Sequence, residues 1–148
     1  MILNHIKILC DNEQKVADYF IKWIAQLIQY PAIKTTCPTM VSNERAEKGT
    51  LNKFIQKMLR SKKCMETTNP CRDVWGQFNS CMLSPFFVNH NELSKKGAIE
   101  AEGKIKALIT DGTICVNPKG VNQFEIKSYH RFFYYNEQIR ANINIYGR

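Results

Sequence analysis

Short apolar stretches alternate with amphipathic segments along most of this chain. Apolar side chains recur at helical spacing over residues 11–30, so an N-terminal helix is predicted there. Further along, the stretches around Thr39, Phe87 and Phe132 are short and apolar, as buried strands are. Because helices and buried strands take turns along the sequence, we predict an α/β fold with a parallel sheet.

The length and composition of the chain fit one folded unit. It has 148 residues, of which 44% are hydrophobic, and this is enough to bury a core. We therefore expect a single domain over residues 1–148. Its predicted parts are the N-terminal helix at 11–30, a core at 38–136 and a β-hairpin at 113–127.

The hairpin is predicted from two short apolar stretches, 114–116 and 124–126. Between them lies Asn117-Pro118-Lys119-Gly120. Proline at the second position and glycine at the fourth are typical of a β-turn. The sequence therefore predicts two antiparallel strands joined at this turn and inserted into the core.

Positive charge is concentrated in one part of the sequence. The chain carries a formal net charge of +8, and the segment 45–72 alone carries +6, with eight basic residues against Glu47 and Glu66. Such a segment predicts an anionic partner: nucleic acid, a nucleotide or an acidic protein. The alternative is a solvated lysine face without a partner.

Other features indicate where the protein is found. No apolar run approaches the roughly 18 residues that a membrane span needs. The first eight residues include Asn4, His5 and Lys7, so no signal peptide is predicted. The six cysteines form no Cys-x-x-Cys pair, which argues against a zinc site and favours reduced thiols. We expect an intracellular protein that is not secreted and has no membrane partner.

The segment between the first predicted strand and the following helix has the layout of a phosphate-binding loop. In such loops backbone N–H groups face the phosphates, a lysine adds charge, and a Ser or Thr hydroxyl holds Mg²⁺. Lys48, Gly49 and Thr50 are therefore candidate nucleotide-binding residues, and Thr50 is also a candidate metal ligand. Arg45 and Glu47 occupy positions where glycines are expected. The pattern alone leaves open a nucleotide site, a remnant of one, or an ordinary charged turn.

A second polar pair follows the predicted strand at Phe87. Nucleotide hydrolases place an acidic pair at the end of a neighbouring apolar strand, one residue for the metal and one for the attacking water. Asn91 occupies the metal-side position, and Glu92 is the candidate catalytic base. A neutral Asn binds Mg²⁺ less strongly than Asp does.

Several motifs occur together in a fixed order. They are Lys48-Gly49-Thr50, Met65-Glu66-Thr67-Thr68-Asn69-Pro70, Asp73-Val74-Trp75-Gly76-Gln77-Phe78-Asn79, Phe87-Val88-Asn89-His90-Asn91-Glu92-Leu93-Ser94-Lys95-Lys96, Ile109-Thr110-Asp111-Gly112 and Phe124-Glu125-Ile126-Lys127-Ser128-Tyr129-His130-Arg131-Phe132. With this order, over about residues 16–136, the chain resembles the superfamily-three helicase domain of the poxvirus-type primase–helicases of large DNA viruses and some phages.

The resemblance implies a fold and an activity. The implied fold is a P-loop NTPase core of the AAA+ type with a parallel sheet, an N-terminal helix and an inserted β-hairpin. The implied activity is that of a hexameric, ATP-driven DNA-unwinding motor in viral replication, with ATP and Mg²⁺ as cofactors. The implied partners are DNA, bound non-specifically, and either a homo-oligomeric ring or another helicase chain. The host cytoplasm or a virus factory would be its location.

The resemblance also implies roles for individual residues. Lys48 would be the phosphate lysine and Glu92 the catalytic base. Asn136 would be the polar sensor at the end of the next strand and is counted with Glu92 as catalytic. The hairpin would track DNA, with Lys119 at its tip and Lys127 as a second DNA contact.

Two departures from the family reduce the expected activity. Arg45 and Glu47 replace loop glycines, so a carboxylate would repel the triphosphate. The chain ends at Arg148, before the C-terminal part of the family and the arginine that reaches into a neighbour's site. We expect a degenerate helicase fragment with weak or no ATPase activity alone. The alternatives are a small basic module that reuses the P-loop fold to bind nucleic acid or a protein, and an ATPase subunit that needs a partner chain.

Overall fold

A computed structural model describes residues 2–41, 48–91, 95–136 and 143–146 of the chain. The α-helices are α1 Ile2–Leu9, α2 Gln14–Gln29, α3 Lys48–Leu59, α4 Pro70–Asp73 and α5 Lys95–Thr110. The strands are β1 Cys37–Val41, β2 Cys64–Thr67, β3 Phe87–Asn91, β4 Thr113–Val116, β5 Phe124–Lys127, β6 Arg131–Asn136 and β7 Ile143–Tyr146. Two short 3₁₀ turns span Ser61–Lys63 and Ser80–Leu83.

Five strands form the main sheet in the order β2-β3-β6-β1-β7. The first four run parallel, and β7 pairs antiparallel with β1 at one edge. The predicted parallel sheet is therefore confirmed, with β6 between the strands that carry Thr39 and Phe87. Because these strands are parallel, β1, β3 and β6 end at the same edge of the sheet, called here the carboxyl edge.

Helices α2 and α3 cover one face of the sheet. Their apolar side chains pack with those of β3 and β6 in one buried cluster, whose largest members are Phe20, Trp23, Leu27, Leu51, Ile55, Phe87, Phe133 and Tyr135. The Phe133 ring centroid lies 5.4 Å from that of Phe20, 6.1 Å from that of Trp23 and 6.3 Å from that of Phe87. These are normal distances for favourable aromatic pairs, so Phe133 joins the helices to the sheet.

The opposite face of the sheet packs against the hairpin, α5 and the segment around the second 3₁₀ turn. Its buried cluster contains Val74, Met82, Val88, Ile114, Val116, Phe132 and Tyr134. Alternate residues of β3 and β6 point to opposite faces, so each strand supplies both clusters. The fold therefore has three layers around a sheet that is buried on both sides.

The segment 73–82 does not form one continuous helix in the structure. Helix α4 ends at Asp73, and the next helical turn begins only at Ser80. Between them Asn79 donates from Nδ2 to the carbonyl oxygens of Val74, at 3.2 Å, and Cys115, at 3.0 Å. This buried amide competes for backbone partners and links the segment to β4, so the continuous helix does not form.

The turn of the hairpin is shifted by one residue from its predicted place. The N–H of Val121 donates to the carbonyl of Pro118 at 3.3 Å, so proline is the first residue of the turn. Gly120 is third and has φ of +78°. A third residue with positive φ is what a type II turn requires, and glycine adopts it at little cost.

We predict opposite effects of alanine at two glycines. A Cβ on Gly76 would lie 2.3 Å from the Arg72 carbonyl oxygen and 2.8 Å from that of Cys71, whereas a Cβ on Gly103 in α5 meets nothing within 4 Å. Gly76→Ala should therefore lower the free energy of unfolding by about 1–3 kcal/mol. Gly103→Ala should raise it by about 0.5–1 kcal/mol, because alanine favours helix. Urea denaturation of both variants measures this, and an unchanged Gly76→Ala midpoint would contradict the close approach at Gly76.

Candidate functional site

The carboxyl edge brings together the ends of three strands that were predicted to carry site residues. In the pairing register Val41 is opposite Asn136, and Asn91 is opposite Tyr135. Helix α3 opens at Lys48, after the carboxyl end of β1. Asn91 and Asn136 thus belong to one edge of the sheet, the edge where α/β proteins place their ligands.

The structure describes some of the predicted site residues fully, some by their backbone alone, and some not at all. Gly49 and Thr50 are exposed in the first turn of α3. Lys48 begins that helix and Asn136 ends β6, as the backbone shows. Arg45, Glu47 and Glu92 lie outside the described residues.

A chain of polar side chains lies at the carboxyl edge. Asn89 donates from Nδ2 to Oδ1 of Asn91 at 3.2 Å, and Asn91 donates from Nδ2 to the Glu66 carboxylate. Burial and the charge of Glu66 raise the pKa of Tyr135 above its ordinary value. Glu66, at the end of β2, was not predicted as a site residue. Its signal in the sequence was the polar run Glu66-Thr67-Thr68 after the apolar pair Cys64-Met65.

His90 lies on the face of β3 opposite to Asn89 and Asn91, and its side chain is fully buried. Its ring stacks on Tyr134 with centroids 4.5 Å apart, and it lies near Trp75 and Phe132 at 6.0 and 5.7 Å. Neither ring nitrogen has a hydrogen-bond partner among the described residues. Burial lowers the pKa of His90 to about 3, so the ring is neutral and acts as part of the core.

We predict that His90 makes stability depend on acid pH. The ring is neutral in the folded chain down to about pH 3, whereas an unfolded chain protonates it below about pH 6.5. The unfolded state thus binds more protons in this window, and stability falls as pH falls below about 6.5. His90→Phe keeps an aromatic ring in the stack and removes this dependence. Between pH 8 and pH 5 the variant should lose about 2 kcal/mol less unfolding free energy than the native chain does. Parallel pH profiles from urea denaturation would contradict this account.

A basic face continues from α3 around the following turn. We define the basic face as Lys53, Lys57, Arg60, Lys62 and Lys63, all of which are exposed. The stretch from Lys48 to Lys63 holds six basic residues and no acidic residue. On the other side of α3, Leu51 and Ile55 are fully buried in the core. The core therefore fixes the helix so that its lysines point to solvent.

Contacts around the 3₁₀ turn hold the second half of the basic face. The hydroxyl of Ser84 donates to the Lys62 carbonyl at 3.2 Å, and the N–H of Phe86 donates to the Lys63 carbonyl at 2.8 Å. Lys63 also donates from Nζ to the Ser84 carbonyl at 3.4 Å. The backbone of Lys62 and Lys63 is thus attached to the segment that leads into β3.

The hairpin residues predicted to contact DNA lie apart from the carboxyl edge. Lys119 is exposed at the turn and Lys127 is exposed at the end of β5. Lys127 belongs to the two-stranded sheet β4-β5 and Lys119 to the turn that connects its strands, so neither is part of the five-stranded sheet. Two further properties concern the described part of the chain only. It contains no group of three or more His, Cys, Asp or Glu residues placed to hold a metal ion. It also has no helix long and apolar enough to cross a membrane.

The fold and surface define a mixed α/β domain with a parallel sheet, a basic helix face and a separate β-hairpin. Residues 40–143, more than half of the chain, match a family of unknown function, DUF5906. The chain belongs to this family.

One curated phage protein and two solved structures of its C-terminal region are similar to the chain. The chain is 26% identical over 135 residues to a DNA Primase-polymerase of Nitratiruptor phage NrS-1, and the match covers 89% of this chain but 18% of that protein. An apo structure of the NrS-1 C-terminal region has a TM-score of 0.75 at 23% identity, covering 91% of this chain and 33% of that one. A second apo structure of that region has a TM-score of 0.73 at 25% identity, covering 91% and 31%. The chain therefore spans less than a fifth of the curated relative.

These comparisons correct the predicted family. The resemblance to the superfamily-three helicases is wrong, because the matches are to DUF5906 and to a phage DNA primase-polymerase. The helicase fragment predicted as the main function is wrong with it, as are the P-loop and ATP-binding classes. The physical reason is that Lys-Gly-Thr before a helix and Asn-Glu after a strand are short patterns, which many strand–loop–helix units satisfy. ATP and Mg²⁺ as cofactors, and the roles given to individual residues, stay untested predictions.

Proposed function

We propose that this chain is a nucleic-acid-binding domain that works in DNA replication. The observation that carries the proposal is the basic face: Lys53, Lys57, Arg60, Lys62 and Lys63 are exposed together, in a stretch without an acidic residue. A polyanion is the partner that such a surface attracts most strongly. The relationship to a phage DNA Primase-polymerase supports nucleic acid as that polyanion.

The arrangement of α3 supports this choice over a solvated lysine face. Lys53 and Lys57 are four residues apart on one helix, so their charges are neighbours and repel by about 0.2–0.5 kcal/mol. Arg60 adds a third exposed charge directly after the helix and has φ of +68°, a conformation that costs a non-glycine residue of order 1–3 kcal/mol. Phosphates bound between these side chains would relieve the repulsion.

The proposed contacts are electrostatic and independent of sequence. Exposed lysines neutralise backbone phosphates and release counterions, so the logarithm of affinity should fall linearly with the logarithm of salt concentration. Each phosphate contact contributes a slope of about −0.9 on duplex DNA. The expected dissociation constant is about 10⁻⁴–10⁻⁶ M near physiological salt, as is typical of non-specific binding.

We predict that neutralising two lysines of α3 reduces both affinity and salt dependence. The double variant Lys53→Gln/Lys57→Gln should bind labelled duplex DNA more weakly. Its salt slope should be shallower by about 1.8, the value of two phosphate contacts. Lys15→Gln/Lys22→Gln is the matched control, because it removes the same charge from exposed positions of α2. Fluorescence anisotropy over a series of salt concentrations measures both quantities.

Two results would contradict the proposed function. The first is equal weakening by both double variants, which would mean that only net charge attracts DNA. The second is no salt-dependent binding of any nucleic acid by the native chain.

A further inference from the structure

The hairpin presents a second exposed surface, with an aromatic side chain beside a lysine. Along β5 and the segment after it, Glu125, Lys127 and Tyr129 are exposed, whereas Ile126 is half-buried and Ser128 is buried. Within β5 this alternation places Glu125 and Lys127 on one side of the strand, and Tyr129 follows two residues after Lys127. Tyr129 is 45% exposed, so part of its ring is open to solvent.

Strand β4 completes this surface with small side chains. In the hairpin register Thr113 is opposite Lys127 and Cys115 is opposite Glu125, and both β4 residues are exposed. We define the outer face of the hairpin as Thr113, Cys115, Glu125, Lys127 and Tyr129. Because the β4 side chains of this face, Thr113 and Cys115, are small, no large side chain of that strand lies beside Tyr129 and Lys127.

The backbone at Tyr129 is held on both sides. The N–H of Ser128 donates to the Gly112 carbonyl at 2.8 Å, and the Ser128 hydroxyl lies 3.1 Å from Nδ1 of His130. The Nε2 of His130 lies 2.9 Å from the Met82 carbonyl oxygen, within hydrogen-bond distance. Tyr129 is therefore an exposed ring on a fixed backbone, and a planar partner can stack on it at a small cost in conformational entropy.

The other end of the hairpin is fixed as well. The N–H of Asn117 donates to Oδ1 of Asn79 at 2.9 Å, and Nδ2 of Asn117 donates to the Gln77 carbonyl at 2.8 Å. Beyond these bonds Lys119 is exposed at the turn, with Val121 60% exposed next to it. Lysines thus occur at both ends of a ribbon that is attached to the core at both ends.

We propose that the outer face of the hairpin binds single-stranded nucleic acid. Tyr129 stacks on one base, and Lys127 on this face and Lys119 at the turn neutralise phosphates of the same strand. Stacking requires an open base face, which a duplex hides between its base pairs and a single strand offers. Glu125 on the same face repels phosphates and limits the affinity. This inference rests on the proposed function and adds the form of nucleic acid that one surface selects.

The experiment compares a single-stranded oligonucleotide with a duplex of equal length, using the full chain. Tyr129→Ala should weaken single-strand binding by between about five-fold and about a hundred-fold, and leave duplex binding unchanged. Tyr129→Phe keeps the ring and should retain the native preference. Tyr30→Ala is the matched control, because Tyr30 is 57% exposed at the end of α2, and it should change neither affinity.

Two charge variants of the same face should change single-strand affinity in opposite directions. Lys127→Gln should weaken single-strand binding and make its salt slope shallower by about 0.7, the value of one phosphate contact. Glu125→Gln should strengthen it, because the repelling carboxylate is removed. Weaker binding by Glu125→Gln would overturn the placement of the strand on this face.

The outcomes separate this inference from the proposed function. Salt-dependent binding with an unchanged single-strand preference in Tyr129→Ala would overturn the hairpin surface alone, leaving the basic face in place. Equal losses for single strand and duplex in Tyr129→Ala would overturn it as well. Absence of binding by the native chain would overturn both proposals. Circular dichroism of Tyr129→Ala and Tyr129→Phe checks that both variants fold.

Discussion

The rest of the fold depends on the pairing and packing of β6. This strand lies between β3 and β1, and Arg131, Phe132, Phe133, Tyr134 and Tyr135 are all buried. Its alternate side chains supply the core on both faces of the sheet. Without β6 the strands β1 and β3 would have no common neighbour, and their ends would not meet at one edge. The position of α3, and with it the direction of the basic face, follows from that pairing.

Arg131, the first residue of this strand, fixes the end of α2 as well. Its Nη2 donates to the carbonyls of Tyr30, at 3.2 Å, and Ile33, and it lies 3.4 Å from Oε1 of Gln26. These acceptors belong to the end of α2 and the segment that leads to β1. Burial lowers the pKa of Arg131 from its ordinary value, which is the cost of placing a guanidinium there. The hydrogen bonds of Nη2 offset part of that cost and attach α2 to the centre of the sheet.

Periodicity and burial made part of this fold predictable. The parallel sheet and the helix after β1 followed from apolar spacing, which depends on local sequence and on the need to bury side chains. The break between Asp73 and Ser80 was not predictable, because it depends on Asn79 bonding to Cys115, a residue far along the chain. Helix α1 and strand β7 were also missed. The pairing of β7 with β1 joins segments about a hundred residues apart, and no local pattern carries that information.

Part of the function could likewise be predicted from the sequence, and part could not. The net charge of the segment 45–72 could be counted without knowing the fold, and the structure exposes five of those charges on α3 and the turn that follows it. The family could not be identified from Lys-Gly-Thr and Asn-Glu, since short patterns fit many folds. Glu66 was missed because its bond to Asn91 joins neighbouring strands. The importance of Tyr129 depends on its exposure between two buried residues, which only tertiary structure shows.

The central claim is that two surfaces of this domain, the basic face and the outer face of the hairpin, contact nucleic acid. Nuclear magnetic resonance of the ¹⁵N-labelled chain, titrated with a single-stranded oligonucleotide, tests it most directly because each backbone amide reports its own surroundings. The account predicts amide shifts at residues 53–63 and around 119–129, with little change along α2. Shifts that avoid both surfaces, or that gather on α2, would contradict it.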